Sequence, residues 1–303
     1  MPAILASMQS TTTTSVTDVS QPNNPFARGI VLMIACLGFF TANALLIKYL
    51  GTYHHTGTWS LVFLRGLVGL LIVVIFYGKR SGLSLSRIFT QPMLVTRGLL
   101  GVFGLCAYYW TIPRLGAGLA TLLSNLYVVL GAVFAACFLV KEKLSSTQFI
   151  WLIVSLFGVG LLSQARSGID FDFAVALAGA VAAGMVIVII RFLHRTEATP
   201  TIFASQCVYA MIAVLPLAVS ELLQLTGRAL VWALTASFMA ALGQLTMTHS
   251  VRYLNVSIGG AFHLTIPVWV SIGGFFLFGE TFSLLQLAGA VLLLFGCFKA
   301  IRR

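Results

Sequence analysis

The sequence predicts an all-α membrane protein, with ten transmembrane helices arranged as two inverted five-helix repeats. Three observations lead there. Of 303 residues, 59% are hydrophobic and only 8% charged, with a mean hydropathy of +1.01, so the chain lacks the polar surface of a soluble domain. Ten apolar stretches follow one another at 28–49, 57–77, 92–111, 117–140, 147–164, 173–192, 200–220, 229–251, 257–278 and 283–300. Crossing the hydrocarbon layer as a helix takes roughly 20 residues. The first five stretches are also echoed by the last five. TLLSNLYVVL…FLVKEKLS, from Thr121 to Ser145, is answered by GGAFHLTIPV…FLFGETFS, from Gly259 to Ser283. That alignment pairs Asn125 with His263, Glu142 with Glu280 and Arg114 with Arg252, and IKYLG at Ile47 is answered by IRFLH at Ile190. A five-helix unit crosses an odd number of times, so its copy enters with opposite orientation. Inverted repeats of this kind are the architecture of alternating-access carriers.

The chain divides into a tail at 1–27, a first repeat at 28–165 and a second at 166–303. The tail carries a TTTT run and no apolar core, which reads as a disordered cytoplasmic segment and not as a cleaved signal. The first span opens at Arg28, and the second contains Arg65. The third has Gly98, Gly101 and Gly104 at every third residue, and the fourth has Gly131 and Ala135. Such small residues let helix backbones approach closely where lipid supplies no hydrophobic drive. The fifth, 147–164, is short and closes the first repeat, and the sixth, 173–192, opens the second. In the seventh, Pro216 is expected to kink or open the helix. The eighth carries Gln244 and His249. In the ninth, Pro267 follows His263 by one turn, which makes this span the expected irregular, substrate-facing one. The tenth runs into a basic C-terminus.

The net charge of +11 flanks the spans and does not form a nucleic-acid patch. With the N-terminus inside, the cytoplasmic segments hold Arg28, Lys79, Arg80, Arg87, Lys141, Lys143, Arg191, Arg195, Arg252, Lys299, Arg302 and Arg303. The opposite side holds only Lys48, Arg114, Arg166 and Arg228. This bias places both termini in the cytoplasm. The sequon at Asn255 and Ser257 then falls on the cytoplasmic side and reads as chance. Five cysteines lie singly within spans, as buried small hydrophobes. No metal site and no cofactor are expected.

Polar residues inside spans carry the functional reading. Arg65 lies roughly 12 Å deep at the helical rise, where an arginine costs on the order of 3 kcal/mol and must face protein or water. No carboxylate falls within a span to meet it, so its partners are backbone carbonyls or an anionic group on a substrate. Arg97 is shallower and is expected to snorkel to the cytoplasmic surface. Tyr108, Tyr109 and Trp110, near an interface, read either as an aromatic belt or as substrate contacts. The expected substrate contacts are Tyr108, Trp110, Asn125, Tyr127, Gln244, His263 and Trp269. Ring faces would hold an apolar or cationic portion of a metabolite, while Asn125, Gln244 and His263 orient its polar groups. Coupling or gating falls to Arg65 and His249, since His249 and His263 alone titrate within spans. The lack of membrane carboxylates favours exchange or facilitated diffusion over proton drive.

LVFLRGL in the second span, TRGLLG opening the third and the paired FLVKEKLS and FLFGETFS endings resemble the EamA-type transporters of the drug/metabolite transporter superfamily. ANALLIKYLG followed by FLRG and RGLLGVFG look most like the S-adenosylmethionine carriers of intracellular bacteria, mainly over the first repeat. The resemblance implies a cavity lined by helices one, three, four, six, eight and nine, which leaves Arg65 outside the lining. It implies a carrier of a small metabolite, either S-adenosylmethionine by exchange or uptake, or exported amino acids and relatives. Expected partners are that small molecule, membrane lipid and at most a second copy as a homodimer, with no nucleic acid. The expected location is a bacterial inner membrane. A lipid-modifying intramembrane enzyme is the rival from another class, but neither DxxD nor HExxH is present, and a channel would differ by unsaturable flux.

Overall fold

The computed structural model describes residues 25–78, 82–138, 146–164, 170–250, 253–254 and 262–301. The tail up to residue 24, Glu142, Arg252, the Asn255 sequon and the Gly259–Gly260 pair therefore lie outside the described residues. These residues form twelve helices and no strand. They are α1 (Pro25–Tyr53), α2 (Thr58–Tyr77), the short α3 (Leu85–Thr90), α4 (Pro92–Leu115), α5 (Ala117–Ser124) and α6 (Tyr127–Phe138). Then follow α7 (Ser146–Gln164), α8 (Phe171–Leu193), α9 (Thr199–Leu223), α10 (Gly227–Ser250), α11 (Ile266–Phe278) and α12 (Leu284–Ile301). Among the described residues six helices are long and apolar enough to cross a membrane, and four shorter apolar helices accompany them.

Several boundaries move for local reasons. Helix α1 starts at Pro25, inside the expected tail, and proline at a first turn sacrifices no hydrogen bond. Helix α4 runs on through Pro113 to Leu115, and α9 continues through Pro216, where an opening was expected. The fourth span is not one helix but two, α5 and α6, interrupted at Asn125 and Leu126. In the ninth span α11 begins at Ile266 with Pro267 in its first turn, so that the expected irregularity lies just before it.

The bundle is built from pairs. Helix α1 packs on α10, α4 on α8, α2 on α9, α7 on α12 and α5 on α11. The contact of α6 with α8 is matched by that of α1 with α11, and α4 on α9 by α2 on α10. Exchanging the two halves of the chain maps this set of pairs onto itself. The main core, including Leu50, Leu61, Tyr109, Leu123 and Val270, lies where these pairs meet.

At the α7–α12 pair two glycines bring the backbones together. A Cβ on Gly289 would stand 2.8 Å from the Gly158 carbonyl, and one on Gly158 2.7 Å from both the Gly289 carbonyl and the Leu293 amide. Backbone cannot yield as a flexible side chain can, so Gly289→Ala is expected to cost about 2 kcal/mol by overpacking. Gly160, on the same helix as Gly158, has nothing within 4 Å of such a Cβ. Gly160→Ala should leave thermal unfolding in detergent unchanged or slightly raised. Equal melting temperatures for the two variants would contradict this packing.

Candidate substrate site

Two helix interruptions define the site. At the first, Leu126 N–H donates to Leu123, Val129 to Leu126 and Leu130 to Leu126. At the second, Thr265 donates to Phe262, Val268 to Thr265 and Trp269 to Thr265. The same tightened i to i−3 step thus occurs in both. Pro267 has no N–H to give to the His263 carbonyl, which explains the second break. No proline marks the first. The matching bonds fall one residue further along than the sequence alignment, so Ser124, not Asn125, takes the place of His263.

The breaks touch each other. The Tyr127 hydroxyl lies 3.4 Å from His263 Nδ1, and the two rings meet edge to face at 6.3 Å. Phe40 of α1 presses on the other side of His263, its ring centroid 5.7 Å away. Gly243 of α10 makes room for Phe40, since a Cβ there would approach its ring to 3.1 Å, and Gln244 is the next residue. Tyr108 reaches α5, its hydroxyl 2.9 Å from Thr121 Oγ1, one turn before Asn125. Asn125 itself is 4% exposed, and its Nδ2 has no hydrogen-bond partner. A buried amide donor left unpaired costs about 1–3 kcal/mol, so Asn125 leaves an uncompensated donor at a helix break.

Other expected contacts lie elsewhere. Trp110 donates to Asp172 Oδ1 at 2.8 Å, carries the Arg114 guanidinium 3.5 Å over its ring and neighbours Trp59. That is an interfacial cluster around the start of α8. Trp269 is 53% exposed and points out of the bundle. His249 Nδ1 bonds the Leu245 carbonyl of its own helix at 2.9 Å. Among the described residues Arg65 meets neither a carbonyl nor a carboxylate: it donates to the Tyr109 hydroxyl at 2.8 Å and lies 5.5 Å from that ring.

Arg97 does not snorkel. It is 5% exposed and donates from Nη2 to Gln206 Oε1 at 3.0 Å, while Nε and Nη1 have no partner. Sequence depth misled because Gln206 of α9 offers an acceptor inside the bundle. Asn43 was also missed. Buried in α1, it donates to the Ala236 carbonyl at 2.8 Å and meets the Tyr109 hydroxyl at 3.3 Å, so that Asn43, Tyr109 and Arg65 form one polar chain across α1, α4 and α2. A lone asparagine within an apolar span was the available signal.

Every described acidic group is committed to structure. Asp170 caps α8 by accepting from Phe173 N–H, Glu197 pairs with Arg87 at 3.1 Å, and Glu221 accepts from Ser60 N–H at the start of α2. Glu280 accepts from Ala117 and Gly118 N–H at the start of α5 and pairs with Lys48 at 3.3 Å. Each carboxylate near a helix start complements its positive end. Among the described residues no group of three His, Cys, Asp or Glu could hold a metal ion.

The sequence model of the EamA-like transporter family matches residues 27–164 and again 172–302. The chain belongs to the EamA-like transporter family. It is therefore a multi-pass integral membrane protein and a transporter, not an enzyme. This EamA-like chain is 25% identical over 278 residues to the pseudopaline exporter CntI of Pseudomonas aeruginosa strain UCBPP-PA14, covering 90% of this chain and 96% of that protein. It is 22% identical over 245 residues to an uncharacterized transporter of Archaeoglobus fulgidus, covering 77% and 84%. A crystal structure of a protein at 16% identity aligns with a TM-score of 0.59 over 91% of this chain and 96% of its own, a likeness of fold. The Pseudomonas relative is named for pseudopaline and the Archaeoglobus one for no cargo, so the narrower resemblance to S-adenosylmethionine carriers gains nothing from them.

Proposed function

We propose that this EamA-like transporter exports a small organic metabolite by alternating access, with the substrate held at the two facing helix breaks. The observation that carries this reading is the Tyr127–His263 contact, which joins two interrupted helices from opposite halves of the chain. Carriers built from inverted repeats bind substrate at such interrupted helices near the midplane. The exchange of packing partners between the halves supports two inverted five-helix repeats, at 28–165 and 166–303. The positive-inside bias supports cytoplasmic termini, in a bacterial inner membrane.

Tyr108, Asn125, Tyr127, Gln244 and His263 are the residues we assign to substrate. Trp110 is left to the interface and Trp269 to lipid, on the contacts above. The committed carboxylates leave the described bundle without a free anionic group, so a cargo's positive portion would be met by ring faces such as those of Tyr108 and Tyr127. Export follows the direction named for the Pseudomonas relative, and amino acids and their derivatives are the substrate class. S-adenosylmethionine exchange is the narrower alternative.

Counterflow in proteoliposomes tests the reading. Vesicles preloaded with an unlabelled amino-acid panel, or with S-adenosylmethionine, are given the same labelled compound outside. Saturable uptake stimulated by preloading with at least one panel member is expected, and the stimulating compound decides between the two cargoes. Flux that rises linearly with concentration and ignores preloading would mean a pore and sink the proposal.

A further inference from the structure

Among the described residues, two arginines inside the bundle have no carboxylate partner. Arg65 of α2 has the Tyr109 hydroxyl as its hydrogen-bond partner, and Arg97 of α4 has the Gln206 side chain. Both partners are neutral. Asp170, Asp172, Glu197, Glu221 and Glu280 are all engaged elsewhere. An arginine at depth costs on the order of 3 kcal/mol even when it finds polar company, and two in one region repel each other as well. Arg97 keeps two donors, Nε and Nη1, buried and unpaired.

Arg65 and Gln206 line one small cavity of about 20 Å³ between α2, α4, α9 and α10. Gln206 thus lines the cavity while its Oε1 accepts from Arg97, which does not itself line it, and its Nε2 reaches the Gly101 carbonyl only at 3.5 Å. Gly66 and Gly69 of α2, with Ala240 and Ala241 of α10, keep side chains out of this space. The Cys207 backbone and thiol stand where Cβ atoms on Gly66 and Gly69 would be, each at 2.9 Å. A cavity of this size takes one water or one ion of similar bulk, and no organic metabolite. Water fits, but it leaves both positive charges uncompensated.

We infer that this cavity binds a single small monovalent anion of halide size, held by Arg65 and Gln206, whose charge balances that of Arg65 and leaves Arg97 as a second positive group beyond Gln206. The ion supplies Arg65 with the counter-charge that the described carboxylates, all engaged elsewhere, do not give it. It ties α2 of one half to α9 of the other. The inference stands whether or not the exported metabolite is the one proposed above, because the cavity is separate from the Tyr127–His263 contact.

The test uses the full chain in nanodiscs of zwitterionic lipid, with thermal unfolding followed in sodium gluconate. Gluconate is then replaced by chloride, bromide or acetate at constant ionic strength. Chloride and bromide are expected to raise the melting temperature saturably by several degrees, and acetate is expected to have less effect. The halide response should vanish in Arg65→Gln and in Arg97→Gln. Crystals of the unmodified protein in bromide should show an anomalous peak beside Arg65, and this arm decides if the variants do not fold. Melting that is indifferent to the anion, a bromide peak elsewhere, or acetate acting as strongly as chloride would each overturn the assignment.

Discussion

Glu280→Ala is expected to lower the stability of the folded protein by about 3 kcal/mol, the lower end of what removing one member of a buried ion pair costs. Glu280 does three jobs at once. Its Oε1 accepts the Ala117 N–H at 2.8 Å, its Oε2 the Gly118 N–H at 3.3 Å, and Oε1 lies 3.3 Å from Lys48 Nζ. Both side chains are 13% exposed, so solvent replaces little of what is lost. The lower end applies because Lys48 also donates to the Pro113 carbonyl at 3.1 Å, and a cavity of about 240 Å³ beside the pair admits water. Gly116, at φ +97°, lets the chain turn so that the α5 amides face the carboxylate. Glu280→Gln keeps an acceptor but loses the charge, and should cost less than the alanine variant. Lys48→Met added to Glu280→Ala should recover part of the loss, since the two residues act as a pair. Thermal unfolding in detergent measures all three; a melting temperature of Glu280→Ala within a degree of the parent would remove the pair from the fold's support.

Asn125→Leu is expected to move stability and transport in opposite directions. The buried Nδ2 has no partner, so the folded protein loses an unmet donor and gains apolar contact. Unfolding should become harder by about 1 kcal/mol. If the amide exists to meet substrate, trans-stimulated flux should fall at least about tenfold, the rate equivalent of one good hydrogen bond. His263→Ala should reduce flux by a similar factor, because it also breaks the contact between the two interrupted helices. Trp269→Ala, on the exposed face of α11, should stay within about twofold. Lower stability together with unchanged flux in Asn125→Leu would place the amide in the scaffold and remove it from the substrate site.

The membrane class and the order of the apolar segments were legible in the chain. Hydrophobicity is a local property, and roughly 20 consecutive apolar residues have few alternatives to a helix in lipid. The break before Pro267 was legible for the same reason, since a missing N–H is written into one residue. The break at Asn125 was not. No proline or glycine occupies it, and the tightened hydrogen bonds depend on what α5 and α6 pack against. Which polar residues meet was equally hidden, because Tyr127 and His263 are far apart in sequence.

From the primary structure alone, then, come a multi-span helical transporter, a repeated half and a short roster of polar residues that lipid would not tolerate without partners. Tertiary packing assigned the partners. It gave Arg97 to Gln206 and left it buried where depth alone argued for the surface. Arg65 went to Tyr109, which also meets Asn43, Glu280 to the start of α5, and Trp269 to the outside. The physical reason is that insertion energy depends on each segment's own composition, whereas a hydrogen bond or ion pair depends on the neighbour's position. The neighbours of Arg65, Arg97 and Glu280 all come from helices distant in sequence.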